Sequence, residues 1–263
     1  MVGVKEVMAS KRILLSLENS RLGDMALDAA AGLATELQAQ LQGLFVEDIN
    51  LLNLAGLPFA REVGHASATE RRILLSDIER SLKAGAMHAQ QLLAKTAERL
   101  QLQWSFKVVR GQLIADVLSM ANEADLIIFG QMKTIQNESP ILPLKQHIQQ
   151  ALVVFDGSPA SQHALMTALL VARLNATTLS VLVESNTTES KNALREIATS
   201  KLTTYLSKTR FFYTQTPHLT HKIQALLKEK KGILVIGKTH HQFSYKALLQ
   251  LLGSINCPVI LAT

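Results

Sequence analysis

The sequence predicts an α/β protein made of two tandem copies of one flavodoxin-like (HUP-type) unit. An internal repeat is the first observation, because the run that begins at Ile13 aligns with the run that begins at Ala151, at an offset of 138 residues. The second observation is that short continuous apolar segments alternate with helical patterns, which is typical of parallel strands buried on both faces. The length of 263 residues allows two modest domains.

The two copies begin in the same way. In each, an apolar run ends in an acid that is followed two residues later by serine, as Glu18 and Ser20 in the first copy and Asp156 and Ser158 in the second. Later in the copies, residues 125–130 match residues 232–237 at an offset of 107, so the second copy is 31 residues shorter in its middle. We therefore predict one domain at residues 1–148 and a second at 149–263, each a five-stranded parallel sheet with helices on both faces.

The periodicity predicts the elements of each copy in order. The first copy has strands at 12–17, 42–46, 104–109, 126–129 and 141–144, and helices at 20–40, 67–100 and 113–123. Polar residues of the kind that cap helices, Asn19 or Ser20, precede the first helix. The second copy has strands at 151–155, 210–214, 233–236 and 259–262, a further strand that contains Leu179 and Leu182, and helices that begin after Ser158 and at 191–207, 219–230 and 244–252.

Charge and hydropathy exclude several classes of protein. The net charge of +6 divides into −1 for residues 1–148 and +7 for residues 149–263, which allows an acidic partner for the second copy. The cations do not form a dense run with interleaved aromatic residues, so we expect no nucleic-acid partner. Neither a run long enough to span a membrane nor a signal-peptide core occurs, so we expect a cytoplasmic protein without membrane insertion.

The thiol, hydroxyl and imidazole groups give no catalytic or metal site. The single cysteine, Cys257, excludes a disulfide within the chain and a cysteine-rich zinc site, and its place beside Pro258 favours a core residue. Ser158 does not lie in the G-x-S-x-G turn of a hydrolase. A metal site needs three or four ligands, and we interpret the histidines as surface or capping residues; they are His218, His221, His240 and His241.

At its strand ends the chain resembles the universal stress protein family in its tandem form. The resemblance rests on Asp156-Gly-Ser158-Pro, on Ala164, on the strand that ends at Gly237 and on Cys257-Pro258 near the end of the sequence. It implies a flavodoxin-like order of five parallel strands in each domain. It also implies that an adenine nucleotide, in those members that bind ATP, lies across the carboxyl ends of the strands.

The glycine-rich phosphate loop of the ATP-binding members is not matched. In that pattern a glycine, two residues, a second glycine, nine residues and a glycine followed by Ser or Thr supply backbone N–H groups to phosphates. Gly237 is followed by Lys-Thr-His-His, Gly130 is followed by no second glycine, and Gly253-Ser254 fits the end of a helix better. We therefore predict that phosphate binding through this loop is lost in the first copy. In the second copy it is either lost or remodelled, with Lys238 in place of the missing backbone N–H groups.

A partial ligand site remains in the second copy. Six residues follow strands that end at one edge of the predicted sheet, where an AMP or ATP molecule would bind: Asp156, Ser158, Gly237, Lys238, Thr239 and His240. The alternative is structural, with Asp156 capping the first helix and Lys238 facing solvent. No other cofactor is expected.

The extra residues of the first copy form the second candidate site. A connection that should be polar carries apolar residues instead, namely Leu51, Leu52, Leu54, Leu57 and Phe59. Either these residues fold over the long helix that follows and make a satellite core, or they form an exposed patch for dimerisation or for a partner protein.

These features predict a non-enzymatic stress-response or regulatory protein that acts by binding a partner protein or a second copy of itself, as in a homodimer. One alternative is an adenine-nucleotide sensor that uses the second copy alone. Another is a nucleotide-hydrolysing enzyme of the same architecture. The identity of the partner and the nature of the signal do not follow from the sequence.

Overall fold

The computed structural model of the chain describes residues 11–17, 24–57, 61–63, 70–72, 74–119, 124–130, 148–229, 232–240 and 243–263. The elements of the first copy are β1 (Arg12–Leu17), α1 (Asp24–Leu37), β2 (Gln40–Asp48), α2 (Ile49–Ala55), β3 (Arg61–Val63), β4 (Glu70–Arg72), α3 (Leu75–Arg99), β5 (Trp104–Gly111), α4 (Leu113–Ser119) and β6 (Leu126–Phe129). Those of the second copy are β7 (Gln150–Phe155), α5 (Pro159–Leu174), β8 (Thr178–Glu184), α6 (Thr188–Lys201), β9 (Thr209–Thr214), α7 (Leu219–Glu229), β10 (Gly232–Gly237), α8 (Tyr245–Ser254) and β11 (Val259–Ala262).

The main sheet has nine strands in the order β5-β2-β1-β6-β11-β10-β7-β8-β9. All of its neighbouring pairs are parallel except one, β6 with β11, which is antiparallel. The predicted α/β class with a mostly parallel sheet is therefore confirmed. No described helix is long and apolar enough to cross a membrane.

The antiparallel pair joins the two copies at the centre of the sheet. Ile128 lies opposite Ile260 and Phe129 lies opposite Val259, so β11 of the second copy lies on the side of β6 away from β1. The second copy contributes the five predicted strands to this sheet, and the described part of the first copy contributes four. The fifth strand predicted for the first copy, at 141–144, lies outside the described residues.

Each face of the sheet carries one hydrophobic core that runs through both copies. Alternate residues of a strand point to opposite faces, so Leu15 and Val153 enter one core while Leu14 and Leu152 enter the other. Helix α1 contacts α5 in the first core, and α4 contacts α8 on the opposite face. The hydrophobic layers therefore follow the faces of the sheet and do not stop at the boundary between copies.

The connection after β2 differs from the predicted one. Residues 49–55 form helix α2, whose N-cap Asp48 accepts a hydrogen bond from the Asn50 backbone N–H at 2.8 Å. The long helix begins at Leu75 and not at residue 67, because residues 70–72 form a strand paired antiparallel with β3. In the second copy α6 covers Thr188–Lys201 and ends earlier than predicted, with a 3-10 turn at Leu206–Lys208 before β9.

Candidate functional site

Three ionisable side chains meet at the carboxyl edge of the second copy. Asp156 follows β7, Glu184 ends β8 and His240 follows β10, and these three strands are neighbours in the sheet. Parallel strands place their carboxyl ends at one edge, which explains why residues distant in sequence come together here. The imidazole Nε2 of His240 lies 3.0 Å from Oε2 of Glu184 and 3.7 Å from Oδ2 of Asp156.

Burial makes this cluster unusual. Glu184 is only 5% exposed and the His240 side chain is fully enclosed, whereas charged groups are seldom buried unless they are paired. The ring of His240 also lies 5.0 Å from that of Phe243, at a tilted angle. His240 therefore links the two carboxylates and packs the edge of the sheet at the same time.

The turn from β7 to α5 holds Asp156 in its ionised form. Burial raises the pKa of Asp156, but hydrogen bonds from Ser158 and Ser161 and the nearby His240 outweigh this effect, so its pKa is lowered. The Ser158 backbone N–H donates to Oδ1 of Asp156 at 2.9 Å. Gly157 in this turn has φ +84°, which only glycine adopts without strain.

Ser158 has a structural contact of its own. Its hydroxyl accepts a hydrogen bond from the Ser161 backbone N–H at 3.2 Å and caps α5, and Pro159 occupies the first position of that helix. Ser158 is thus the cap, while Asp156 fixes the turn that leads to it. The predicted structural role, capping of the helix after this turn, is therefore present, but the capping side chain is that of Ser158 and not that of Asp156.

The turn after β10 uses its backbone N–H groups internally. Lys238 donates to the Ala262 carbonyl at 2.7 Å, and His240 donates to the Gly237 carbonyl at 3.1 Å. Gly237 packs against the start of α5, where an added Cβ would lie 2.7 Å from the carbonyl carbon of Ala160. Lys238 is half-buried and Thr239 is exposed. The backbone of this turn is therefore directed towards the protein.

A cleft of about 460 Å³ opens beside the buried cluster. Its lining combines two carboxylates with hydroxyl and amide groups and one leucine: Asp156, Glu184, Ser185, Asn186, Thr187, Ser190, Leu194 and Thr216. Thr187 also caps α6 by accepting a hydrogen bond from the Ser190 backbone N–H at 3.2 Å. The cleft is thus lined mainly by polar groups, two of which are carboxyl groups.

Of the six residues predicted as a ligand site, the structure brings Asp156 and His240 into one cluster, and Asp156 also lines the cleft. Ser158 and Gly237 have the structural contacts given above. Glu184 was not predicted as a site residue. Its position gives a sequence signal all the same, because it is an acid at the end of a buried strand, and this strand neighbours the one that Asp156 follows. The interpretation of His240 as a surface or capping residue is wrong, because its ring is buried against Glu184.

Two of the other histidines and the single cysteine lie where they were predicted. His218 and His221 are exposed, and His241 lies outside the described residues. Within the described part of the chain, no group of three or more His, Cys, Asp or Glu side chains is placed to hold a metal ion. Cys257 is a buried core residue, and burial raises the pKa of its thiol to about 12.

The apolar insertion of the first copy divides into a buried and an exposed side. Leu52 and Ala55 of α2 are buried, and α2 packs on α3. Four other apolar residues are between 36% and 50% exposed; they are Ile49, Leu51, Leu54 and Leu57. We call these four residues the α2 apolar face. Phe59 lies outside the described residues. The segment therefore has a small core of its own at Leu52 and Ala55, and the four residues of the α2 apolar face remain partly exposed.

Comparisons with known proteins show which fold this is. The sequence matches no family model and no curated protein. Among solved structures, a universal stress protein from Archaeoglobus fulgidus has a TM-score of 0.54 at 12% identity, covering 95% of this chain and 96% of that one. A universal stress protein from Pseudomonas aeruginosa has a TM-score of 0.50 at 14% identity, covering 97% of this chain and 93% of that one. The chain therefore has the fold of the universal stress proteins.

Proposed function

We propose that the chain is a universal-stress-type regulatory protein that acts by binding another protein, or a second copy of itself, and not by catalysis. The observation that carries the proposal is the α2 apolar face. Leu52 and Ala55 anchor α2 on the molecule, while Leu54 is 50% exposed and the other three residues of the α2 apolar face are between 36% and 41% exposed. Large apolar side chains exposed together on one short segment favour an interaction site.

The site in the second copy supports a binding function without phosphate chemistry. The cleft presents Asp156 and Glu184, and the ionised carboxylate of Asp156 repels the phosphates of ATP. The Lys238 and His240 N–H groups already donate within the protein, so they do not form a phosphate cradle. These contacts favour the loss of the phosphate loop.

The test of the main proposal uses Leu54→Asp, with Leu174→Asp as the matched control. Leu54 is 50% exposed on α2, and Leu174 is 46% exposed at the end of α5 in the second copy. A charge in a buried interface costs several kcal/mol, so we expect Leu54→Asp to abolish self-association or partner capture. Sedimentation velocity and capture with the immobilised protein measure this effect, and the melting temperature checks the fold.

Two results would contradict the proposal. If Leu54→Asp lowers the melting temperature strongly, the residue belongs to a satellite core and not to an interface. If Leu54→Asp and Leu174→Asp weaken association equally, the α2 apolar face has no special role. The proposal requires loss of association in the first variant only, with both variants folded.

A second candidate function is the binding of adenosine or an adenine nucleotide in the second copy. The polar cleft of about 460 Å³ favours it, because its hydroxyl and carboxylate groups suit a base and a ribose. Since the carboxylate of Asp156 opposes phosphates, we expect adenosine to raise the melting temperature more than AMP, and AMP more than ATP. Thermal shift at matched concentrations tests this order, and the largest shift with ATP would contradict the loss of the phosphate loop.

The enzymatic alternative has a separate test. Nucleotide hydrolysis that the wild-type protein shows and Asp156→Ala lacks would favour an enzyme over a binding protein. Because Asp156 also holds the turn before α5, the variant needs a melting curve to show that it is folded.

A further inference from the structure

Strand β9 forms one outer edge of the nine-stranded sheet. It pairs with β8 on one side, and no other described strand pairs with it. The Thr214 carbonyl accepts a hydrogen bond from the Ser185 backbone N–H at 3.0 Å, so the backbone of Thr214 faces β8. Because backbone groups of alternate residues point to alternate edges of a strand, those of Phe211 and Tyr213 face outward. Such an edge is a template for a further strand.

The side chains of β9 make this edge apolar on both faces of the sheet. Phe211 packs against the core on one face and Phe212 packs against the core on the other, and both remain partly exposed. Tyr213 is exposed as well. An added strand would therefore find aromatic surface for the side chains that it directs to either face.

The charge around β9 is positive. Arg210 lies in the strand and is exposed, and Lys208 lies in the 3-10 turn just before it. The guanidinium of Arg195 on α6 lies 5.3 Å from the ring centre of Phe211, which places a third cation over the strand. Residues 187–214 carry five Lys and Arg against two Asp and Glu, a net charge of +3.

The edge at the other end of the sheet has a different charge arrangement. In β5 the Nε of Arg110 lies 3.1 Å from a carboxylate oxygen of Glu47 on the neighbouring strand β2. A cation of that edge is thus neutralised within the sheet itself. Within the part of the chain that the structure describes, Arg195, Lys208 and Arg210 form no ion pair with a carboxylate. The surplus charge of this segment therefore remains available to an external anion.

We propose that β9 is a docking edge for an extended acidic peptide segment, which adds to the sheet as a further strand. Backbone hydrogen bonds to Phe211 and Tyr213 would give the strand its register, and carboxylates of the peptide would meet Arg195, Lys208 and Arg210. Apolar residues that alternate with the acids would pack on the aromatic rings. This surface is separate from the α2 apolar face, so the proposal goes beyond the function given above and stands or falls independently of it.

The experiment uses the full chain and a fluorescein-labelled peptide of about eight residues, a typical strand length, that alternates glutamate and valine. Fluorescence anisotropy is expected to show binding that weakens as salt is added, because the contacts are partly electrostatic. A peptide with lysine in place of glutamate should not bind. A peptide with the same side chains but with N-methylated backbone amides should bind at least about tenfold more weakly, since it cannot complete the strand.

Protein variants locate the binding surface. Arg210→Glu should weaken binding of the acidic peptide about tenfold or more, because it replaces an attractive contact by a repulsive one. Lys107→Glu is the matched control, since Lys107 is an exposed cation on the edge strand β5. Tyr213→Pro removes an outward N–H, a change that edge strands tolerate, and should also weaken binding. Leu54→Asp should leave it unchanged.

Several outcomes would overturn the proposal. Equal binding of the N-methylated peptide would show that the edge attracts charge without strand pairing. An equal loss of peptide binding in Lys107→Glu would show a general electrostatic effect. If the wild-type protein does not bind the peptide, the cations only keep the edges of different molecules apart.

Other results would assign the edge to another occupant. If the peptide does not bind and Tyr213→Pro abolishes self-association, the edge pairs with a second copy. Stronger binding of single-stranded DNA of equal charge would assign it to nucleic acid. The N-methylated peptide decides the question even if Tyr213→Pro does not fold.

Discussion

The two copies differ most in the connection that follows their second strand. In the first copy this connection contains α2, a short hairpin and the 25-residue helix α3, whereas in the second it contains α6 of 14 residues. The longer connection exposes the four residues of the α2 apolar face together with Leu74, Leu75 and Met87, while the shorter one exposes Ile197 among its large apolar residues. The repeated unit thus exposes apolar side chains in one copy and a polar cleft in the other.

The two copies also differ in the residues at the carboxyl ends of their strands. The second copy gathers Asp156, Glu184 and His240 at its strand ends. The comparison teaches that repetition of the strands does not repeat the site, since Val46 and Lys133 stand in the first copy at the positions of Glu184 and His240. Three experiments test how separate the two copies are.

The largest expected effect tests whether the copies unfold together. Ile260 of β11 is fully buried and lies opposite Ile128 of the first copy, so Ile260→Ala should cost about 2–5 kcal/mol. The single tryptophan, Trp104, lies in β5 at the far end of the first copy. Both cores run through both copies, so we expect the two copies to unfold together. In Ile260→Ala the unfolding midpoint from Trp104 fluorescence should therefore fall by the same amount as the midpoint from circular dichroism.

A matched control is Ile197→Ala, which truncates an exposed isoleucine of the second copy and should have little effect. If the Trp104 transition in Ile260→Ala keeps its wild-type midpoint while circular dichroism shows an earlier transition, the copies unfold independently. That result would also favour the predicted boundary after residue 148 as a true domain boundary.

The prediction of intermediate size compares the stability cost of replacing one glycine in each copy by alanine. Gly237→Ala would place a Cβ 2.7 Å from the carbonyl carbon of Ala160, where backbone must move, and should cost about 1–3 kcal/mol. At the corresponding Gly130 an added Cβ would meet its neighbour, the Ser16 carbonyl oxygen, at 3.7 Å. Gly130→Ala should therefore change stability by less than about 0.5 kcal/mol. Urea unfolding measures both variants, and equal costs would show that the helix of the second copy does not pack more closely on its sheet.

The smallest effect concerns the pH dependence of stability. The pKa of Asp156 is lowered in the fold, so its ionised form stabilises the protein above the unfolded pKa, and this contribution is lost as the pH falls through the folded pKa. Asp156→Asn should destabilise the protein by about 1 kcal/mol at neutral pH, and the difference should vanish in acid. Asp77→Asn, which alters an exposed carboxylate of α3 near Arg80, is the control. A difference for Asp156→Asn that persists unchanged in acid would point to a packing effect instead.

Much of the fold could be predicted because the buried strands are continuous apolar runs. Residues 12–17 and 126–129 were predicted as strands with the observed bounds, since a strand buried on both faces leaves a signal in each of its residues. The helix α2 was not predicted, because its seven residues are too few to show a helical period and its capping Asp48 also ends a strand. The strand β4 replaced the predicted start of the long helix for a similar reason, because its pairing with β3 is not visible in local periodicity.

The candidate site could be predicted only in part. Asp156 follows a strand directly, so its place at the edge of the sheet was evident from the repeat. Glu184 and His240 lie 28 and 84 residues further along the chain, and their contact depends on the neighbouring positions of β8 and β10 around β7. Nothing local to His240 indicates that its ring turns inward, because that orientation is decided by carboxylates on two other strands.

The sequence by itself determined that this protein consists of repeated strand-helix units around a mostly parallel sheet, because apolar periodicity and the repeat are properties of consecutive residues. The tertiary structure decided that β6 and β11 join the copies in one sheet, that His240 is buried between Glu184 and Asp156, and that β9 is left as a basic edge. Each of these depends on contacts between residues far apart in the chain. Such contacts are set by strand order and by the packing of both faces, which no local pattern encodes.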